Sequence, residues 1–410
     1  MSTIFVRAAV LAAAWLPALA AAEPISFEQA LGLALQHSQA VRAAQAAVRG
    51  ASASVQAAGQ LPDPLLRAGI DNLPVSGTDR WSTAREPMTM KRIGISQEWL
   101  SADKRSAREN AARAKADREA AQQSVAEAEA RLQTALAYVD AWYAGAALQL
   151  TTQTERHLRE EFEAARSRLA AAAGDSAQVL ERLAAAGIAE DESGAQRQLQ
   201  AAALVGLQRW IGVLPDALAP LPALRLPAEQ DFVAASATVT VLQSALALAR
   251  QNAALAATDR TPNWTWELSY GQRAGHSDLV SVGVSIPLQI APSQRQDRDI
   301  AAKQAMVEQA EAELAEAQRA ATADYRSLAG DAARLQQRIA RYQAAVVEPL
   351  RQRTLATLAA YRANQSPLST WFEARHAEVD AQHKLLALQR DLARTQAQLA
   401  FKTTLQGIAP

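Results

Sequence analysis

Cysteine is absent from this chain and histidine occurs only 5 times, and the spacing of the candidate ligands does not assemble a site. There are no cysteines, which excludes thiolate metal ligands and thiol nucleophiles. His376 and His383 share one stripe of a predicted helix, but they lie about 10.5 Å apart along its axis, too far for one ion. Met88 and Met90 are soft-metal ligand types that alternate on a predicted strand, where methionine is an ordinary residue. The sequence therefore predicts neither a metal site nor a cofactor site.

Catalytic and nucleic-acid-binding patterns are also missing from the sequence. Carboxylates are scattered along helix faces, and neither glycine-rich phosphate loops nor nucleophile motifs occur. The formal net charge is +0, from 42 basic and 42 acidic side chains, whereas nucleic-acid binding needs a basic footprint. We therefore expect a protein that is not an enzyme and has no nucleic-acid partner.

The predicted elements occur twice along the chain, as an internal two-fold sequence repeat. Each half has a short helix, a strand pair, a very long helix, a tight turn and a shorter helix. The first repeat spans 23–212, with strands in 64–100, a long helix over 101–172 and a helix over 177–211. A proline-rich connector covers 213–230. The second repeat spans 231–410, with a strand pair in 261–289 (strands over 261–270 and 278–289), a long helix over 293–362 and a helix over 368–402.

The predicted strands alternate between apolar and polar residues. The pattern is clearest at Trp264, Trp266, Leu268 and Tyr270, whose intervening residues are polar. An apolar face with aromatic residues near its ends is typical of a transmembrane barrel strand. The alternative is a soluble hairpin with one face on a core, but no other predicted element supplies that core. The sequence favours strands that cross a membrane.

The long predicted helices carry coiled-coil seams. Apolar residues three or four apart run from Leu314 to Val346, and Pro349 should kink the helix beyond them. About 70 residues give a rod of about 105 Å. A first helix is predicted over 25–60. Its length and that of the later helix over 177–211 add up to about the length of one long helix. Placed end to end, the two can therefore lie alongside it.

The first 22 residues are typical of a secretory signal. Arg7 precedes the short apolar stretch Ala8–Leu19, and small residues up to Ala22 provide a cleavage site. The alternative is a buried N-terminal helix. No later stretch is long and apolar enough for a transmembrane helix, and the absence of cysteine excludes a lipid anchor at the new terminus.

Both predicted turns between long and short helices resemble the TolC family of outer-membrane efflux channels. The family tip often reads Tyr-x-x-Gly and then Asp-Val-Leu-x-Ala. The second turn has Tyr361, with Asn364 at the glycine position, and continues to Glu373-Ala374. The first turn has Gly174, Asp175 and the pair Val179-Leu180. The resemblance covers essentially the whole mature chain.

A second motif resembles the heavy-metal efflux branch of that family, the CzcC-like proteins. It consists of Asp71-Asn72-Leu73-Pro74 followed by the segment from Met88 to Glu98. This motif indicates a lineage and does not form a metal site. The resemblance implies a passive gated conduit that exports heavy-metal cations. Export of drugs or, through a different pump, of a secreted protein is the alternative within the channel class.

The resemblance also implies a mainly α fold with a β part, in the outer membrane of a Gram-negative cell. A homotrimer would combine a twelve-stranded transmembrane β-barrel, four strands per chain, with a coiled-coil α-helical barrel in the periplasm. The implied partners are a periplasmic adaptor protein, an inner-membrane RND pump and outer-membrane lipid. Two alternatives from other classes are a periplasmic adaptor, which has one hairpin between β-domains, and a soluble coiled-coil scaffold.

By the same resemblance, residues at the turns are expected to form the closed aperture or to contact the adaptor. Acidic family positions are occupied here by Gln178 and Thr370, so charge would have to come from neighbouring carboxylates. Repeated three times, each inward carboxylate would become a ring; alone, it is a solvated helix end. Arg168 and Arg362 could bridge carboxylates or merely favour a helix C-terminus. The expected tip residues are Arg168, Gly174, Asp175, Gln178, Val179, Leu180, Glu181, Tyr361, Arg362, Asn364, Pro367, Leu368, Thr370 and Glu373.

Overall fold

The computed structural model describes residues 23–171 and 174–404. The predicted signal sequence, residues 1–22, lies outside the described residues. Within the described ranges the helices are α1 Phe27–His37, α2 Gln39–Ala58, α3 Ala102–Ala170, α4 Ser176–Ile211, α5 Glu229–Ala234, α6 Ala237–Ala257, α7 Gln296–Tyr342, α8 Glu348–Arg362 and α9 Leu368–Phe401. The strands are β1 Leu65–Asp71, β2 Met90–Trp99, β3 Trp264–Arg273 and β4 Leu279–Ser285.

The helices form a long rod. With 69 residues, α3 is about 104 Å long. Both α2 and α4 pack along it, and α9 packs on α3, α7 and α8. This agrees with the expectation that two shorter helices together flank one long one. In the described ranges, none of the helices combines the length and apolarity needed to cross a bilayer.

The first predicted helix is interrupted, which corrects the expectation of one helix over 25–60. Ser26 caps its start, because the Gln29 N–H donates to Ser26 Oγ at 3.1 Å and the Gln29 side chain accepts from the Ser26 N–H. The chain then turns extended at Ser38, whose hydroxyl accepts from the Val41 N–H. Serine competes with the helix backbone in this way, and it starts a second helix.

An aromatic core ties the rod together near the middle of α3. The rings of Phe27 and Tyr138 meet edge to face with centroids 5.3 Å apart, and Phe401 lies 6.0 Å from Phe27. The Tyr138 hydroxyl lies 2.8 Å from the carbonyl oxygen of Ile25 and 2.7 Å from that of Ala219. Burial raises the pKa of Tyr138 to about 12. The contact between the Tyr138 hydroxyl and the Ala219 carbonyl holds the proline-rich connector against α3.

The strands form one antiparallel sheet in the order β1-β2-β3-β4. The register aligns the predicted apolar residues into rows that cross all four strands on one face. The first two rows are Leu66–Ile95–Leu268–Val282 and Ala68–Ile93–Tyr270–Val280. Most of these side chains are exposed, and Val282 is 77% exposed. The sheet therefore presents a continuous apolar face that nothing in the described chain covers.

The opposite face of the sheet is polar and carries charge pairs. Arg92 lies 2.8 Å from Asp71, and Arg67 lies 3.5 Å from Glu267. Gly94 is needed on this face because a Cβ there would stand 2.7 Å from the Cβ of Ser269. The alternation predicted from the sequence is therefore present in three dimensions.

Two strand limits differ from the prediction. The strand expected over 261–270 begins later, at Trp264, because residues 258–260 form a 3-10 turn. The strand expected over 278–289 ends at Ser285, two residues before Pro287, which lacks the N–H that a ladder needs.

A polar network joins the sheet to the rod. Lys104, at the start of α3, has a side chain only 9% exposed, and its Nζ lies 2.6 Å from Asp259 Oδ1 and 3.1 Å from Asn263 Oδ1. The Asn263 amide donates in turn to Glu98 Oε1 at 2.7 Å. Lys104 therefore fixes α3 to the segment that leads into β3.

The predicted seam of the second long helix lies at the packing interface. Its members from Leu314 to Val346 are all buried or half-buried. The expected disturbance at Pro349 takes the form of a π-helical segment, Gln343–Val347, directly before it. The proline clashes with the carbonyl four residues earlier, and a wider turn relieves that clash.

Replacing Lys104 should weaken the joint between sheet and rod. We expect Lys104→Met to lower the free energy of unfolding by about 1–2 kcal/mol, below the usual value for a buried pair because Asp259 is half exposed. Chemical denaturation of the purified protein measures this. Lys115→Met, at an exposed position of the same helix, is the control and should change little. Equal effects of the two substitutions would contradict the assigned role.

Candidate functional site at the helix tips

The candidate site consists of two turns at the end of the rod that lies farthest from the sheet. The first turn joins α3 to α4, and the second, residues 363–367, joins α8 to α9. We call these the first tip and the second tip. The Arg182 guanidinium of α4 lies 4.5 Å above the Phe372 ring of α9, so the two tips belong to one end of the molecule.

The second tip closes with a left-handed residue. Asn364 has φ 61°, and its N–H donates to the Tyr361 carbonyl at 2.9 Å. The Gln365 N–H donates to the Ala360 carbonyl at 2.9 Å. These two bonds are the Schellman arrangement, which satisfies the last carbonyls of α8. The expectation that Asn364 substitutes for glycine in a left-handed turn is confirmed.

The first tip is shaped by close approach and by a cap. A Cβ at Gly174 would stand 2.8 Å from the backbone nitrogen of Leu169, so only glycine fits against the end of α3. Asp175 caps α4, since its carboxylate accepts from the Ala177 N–H at 3.1 Å. Negative charge at a helix N-terminus is favourable.

Most of the expected tip residues are open to solvent. Leu180 is 65% exposed, which is unusual for leucine. The other exposed members are Arg168, Gly174, Asp175, Gln178, Glu181, Tyr361, Arg362, Asn364, Pro367 and Glu373. The half-buried members are Val179, Leu368 and Thr370.

The two tip arginines stand in the last turns of α3 and α8. In the described part of the chain, neither Arg168 nor Arg362 forms a salt bridge with a carboxylate. Glu181 approaches Arg182 at 3.9 Å. Within one chain the arginines therefore only favour the helix ends, and the bridging interpretation stays a prediction about contacts between chains.

Behind the tips lies a cluster that sequence reasoning missed. Glu161 of α3 has a buried carboxylate oxygen, Oε2, without a hydrogen-bond partner. Burial raises the pKa of Glu161 to about 8, and attraction to the Arg182 guanidinium opposes this rise. Glu161, Phe372 and His376 line one small cavity of about 10 Å³. The cluster joins three helices, α3, α4 and α9.

A buried carboxylate lies six residues earlier in α3. Glu155 is 8% exposed, and its two oxygens each lie 3.0 Å from a guanidinium, that of Arg159 on α3 and that of Arg197 on α4. Each oxygen of Glu155 is paired, unlike Oε2 of Glu161. Glu155 therefore links α3 to α4 through its ion pair with Arg197, whereas Oε2 of Glu161 lacks a hydrogen-bond donor.

Residues with metal-ligand chemistry are spread over several places. In the parts of the chain that are described, no group of three or more His, Asp or Glu residues is suited to hold an ion. His383 lines a cavity of about 530 Å³ between α3, α4 and α9, separate from the one at His376. Burial lowers the pKa of His383, against the attraction of Asp380 and Glu192. Met88 is exposed, and the Met90 sulfur packs on Gly271.

Comparison with known proteins gives matches among solved structures. No protein-family model matches the chain, and no curated protein matches it either. The outer-membrane protein VceC of Vibrio cholerae aligns with 92% of this chain and 95% of its own, at 18% identity and a TM-score of 0.72.

Two further structures agree with that match. The transmembrane channel CusC aligns with 91% of both chains at 16% identity and a TM-score of 0.72. The open outer-membrane channel MtrE of Neisseria gonorrhoeae aligns with 94% of this chain and 90% of its own, at 16% identity and a TM-score of 0.74. At these identities the comparison establishes the fold, and the chain has the fold of outer-membrane channels.

Substituting the left-handed residue should loosen the second tip. We expect Asn364→Ala to cost about 1 kcal/mol, because a Cβ-bearing side chain without a compensating amide is strained at φ 61°. The last turn of α8 should then fray, and trypsin should cut after Arg362 faster than in the wild type. Asn364→Gly, which removes the strain, should cleave at about the wild-type rate. An alanine variant as resistant as the wild type would refute this account.

Proposed function

We propose that this chain is the outer-membrane channel of a tripartite efflux system, a member of the TolC family that acts as a passive, gated conduit. The observation that carries the proposal is the joining of an uncovered apolar sheet to a rod about 104 Å long in the fold of known outer-membrane channels. A sheet of this kind meets lipid, and a rod of this length reaches far into the periplasm.

The sheet has open edges that need partners. In the described chain β1 pairs only with β2, and β4 pairs only with β3. An unpaired strand edge in a membrane leaves backbone groups unsatisfied, at several kcal/mol each. Three copies joined edge to edge would close a twelve-stranded barrel. We therefore propose a homotrimer, with the apolar rows facing lipid and the Arg67–Glu267 side facing the lumen.

The helical layer has open borders of the same kind. In the tip half of the rod α4 packs on α3, and α8 packs on α9, so α4 and α8 form the two borders there. The α4 border exposes large aliphatic side chains along its length: Leu183, Ile188, Leu199 and Val205. Contact with the α7–α8 border of a neighbouring copy would bury them. The same three-fold symmetry thus closes both the sheet and the helices.

The tips provide the proposed contact with a periplasmic adaptor and the proposed aperture. Leu180 and Val179 form a small apolar ridge beside charged residues, which suits docking of a helical hairpin. An inner-membrane RND pump would supply the energy, since the chain carries no catalytic constellation in its sequence. In the trimer, Asp175, Glu181 and Glu373 would each be present three times near the opening.

Heavy-metal cations are the proposed cargo. Support comes from the motif of 71–74 and 88–98, in which the structure pairs Asp71 with Arg92 and Asn72 with Thr89. The Thr89 hydroxyl donates to the Asn72 carbonyl at 3.0 Å, and the Asn72 amide donates to the Met88 carbonyl. The motif therefore builds the strand ends and does not coordinate the cargo, so choice of metal would rest largely with the pump.

Closure of the barrel is testable by disulfide cross-linking, because the chain has no native cysteine. β1 and β4 stand three strand spacings apart within one sheet, about 14 Å, beyond the roughly 7 Å that a disulfide spans. We expect Ala68→Cys combined with Val280→Cys, Val282→Cys or Val284→Cys to give covalent trimers after oxidation, at the register that closes the barrel. Denaturing gels without reductant measure this.

Single-cysteine variants are the controls for that experiment. Ala68→Cys alone and Val282→Cys alone should stay monomeric on the same gels, since each lacks its partner. Monomers from every double variant in intact outer membrane would overturn the trimer.

The cargo is testable by growth of a strain that lacks this chain. We expect increased sensitivity to one or a few of Cu, Ag, Zn, Co, Cd and Ni, restored by the wild-type chain. A drug panel measured beside the metals separates the alternatives. Sensitivity to drugs alone would keep the conduit and overturn the metal assignment, and a secretion defect alone would favour protein export.

A further inference from the structure

The cluster behind the tips lies where one helical hairpin meets the next helix. Glu161 is nine residues before the end of α3, Arg182 is near the start of α4, and Phe372 is near the start of α9. Phe372 is 3% exposed, and the Arg182 side chain is 14% exposed. The stacking of Arg182 on Phe372 is thus a buried contact that couples α4 to α9.

The exposed Glu181 carboxylate lies 3.9 Å from Arg182, and two further partners compete for Arg182 at this place. Its guanidinium lies on the Phe372 ring, and it is also the positive charge that attracts an ionised Glu161. An ionised Glu161 would therefore compete with the Phe372 ring for the Arg182 guanidinium. Ionisation would place part of the negative charge on Oε2, which is buried and has no hydrogen-bond donor, and this is costly in a protein interior.

The buried side of the half-buried Glu161 offers little room for water. The cavity beside Glu161 is about 10 Å³, roughly the smallest space that holds one water molecule. On α9, Arg375 is already paired with Glu378 at 3.0 Å, and His376 also lines the cavity. On α3 itself, His157 lines the cavity and approaches the exposed Glu160 at 3.6 Å. Full hydration of Oε2 thus needs more room than this cavity provides.

We propose that Glu161 is a proton-controlled latch between the α3–α4 hairpin and α9. With its carboxyl group protonated, Arg182 stacks on Phe372 and the tip half of α9 is held against α3. When the carboxyl group ionises, Arg182 is drawn away from the ring, water enters and α9 loosens. Thr354 of α8 donates to the Ala374 carbonyl at 3.2 Å, so α8 and the second tip follow α9.

The direction of the pH effect follows from linkage. An isolated glutamate has a pKa of 4.5, and burial raises that of Glu161 to about 8. Between these values the folded chain binds more protons than the unfolded chain, so stability falls as pH rises through this window. The tip should be tight in mildly acidic solution and loose above about pH 8. A consequence for transport rests on the proposed function, but the movement itself does not.

The movement is measurable by distances between spin labels in the purified full-length chain. Labels on Ala184→Cys in α4 and Glu373→Cys in α9 report across the junction, and excess unlabelled chain keeps the distances within one molecule. We expect a narrow distribution at about pH 6 and a broader, longer one at about pH 9.5, with a midpoint near pH 8. Glu161→Gln, which mimics the protonated form, should stay narrow at both pH values.

Two further variants separate the latch from a general effect of charge. Glu163→Gln, at an exposed position two residues along α3, should behave as the wild type. Phe372→Leu removes the aromatic face and should be broad at both pH values. An unchanged wild-type distribution, a pH-dependent Glu161→Gln or a narrow Phe372→Leu would overturn the proposal. These distances do not depend on conduction, so failure here leaves the channel proposal standing.

Discussion

The packing of helices around the middle of α3 is the constraint on which the rest of the structure depends. Alanine-rich helices bury little apolar area per residue, so a rod this long needs a place where larger side chains converge. Phe27, Tyr138 and Phe401 provide it, bringing the first helix, the long helix and the last helix into one core. The Tyr138 hydroxyl also fixes the connector between the two halves. Sheet and tips are built outward from this core.

Much of the architecture could be predicted from the sequence because it rests on periodicity. The alternation around Trp266 and Leu268 predicted strands, and the seam from Leu314 to Val346 predicted a packed helix face. The errors lie at the ends of elements, where one side chain competes with the regular backbone. Ser38 divides the first helix by capping a second one, and Pro287 shortens the last strand because it lacks a backbone N–H.

In the candidate site, too, local features could be predicted from the sequence, whereas contacts between residues distant in sequence could not. The turn at Asn364 was predictable, since a residue that tolerates positive φ occupies a position next to a helix end. The cluster of Glu161, Arg182 and Phe372 was not, because its members come from three helices and each looks like an ordinary helix residue in sequence. Only the packing shows that one carboxylate oxygen lacks a partner. The sequence would have indicated this cluster only through an unusual residue type or spacing, and it has neither.

The π-helical segment before Pro349 determines which face of α8 is directed toward α9. Beyond Tyr342, the inward positions Val346, Leu350 and Thr354 are spaced four apart. In a regular α-helix each such step drifts by about 40°, which would turn the stripe away from α9. The wider π-helical turn compensates for this rotation, so the Thr354 hydroxyl still reaches the Ala374 carbonyl of α9. If residues 343–347 formed a regular α-helix, the face that α8 directs toward α9 would be rotated by roughly 100°.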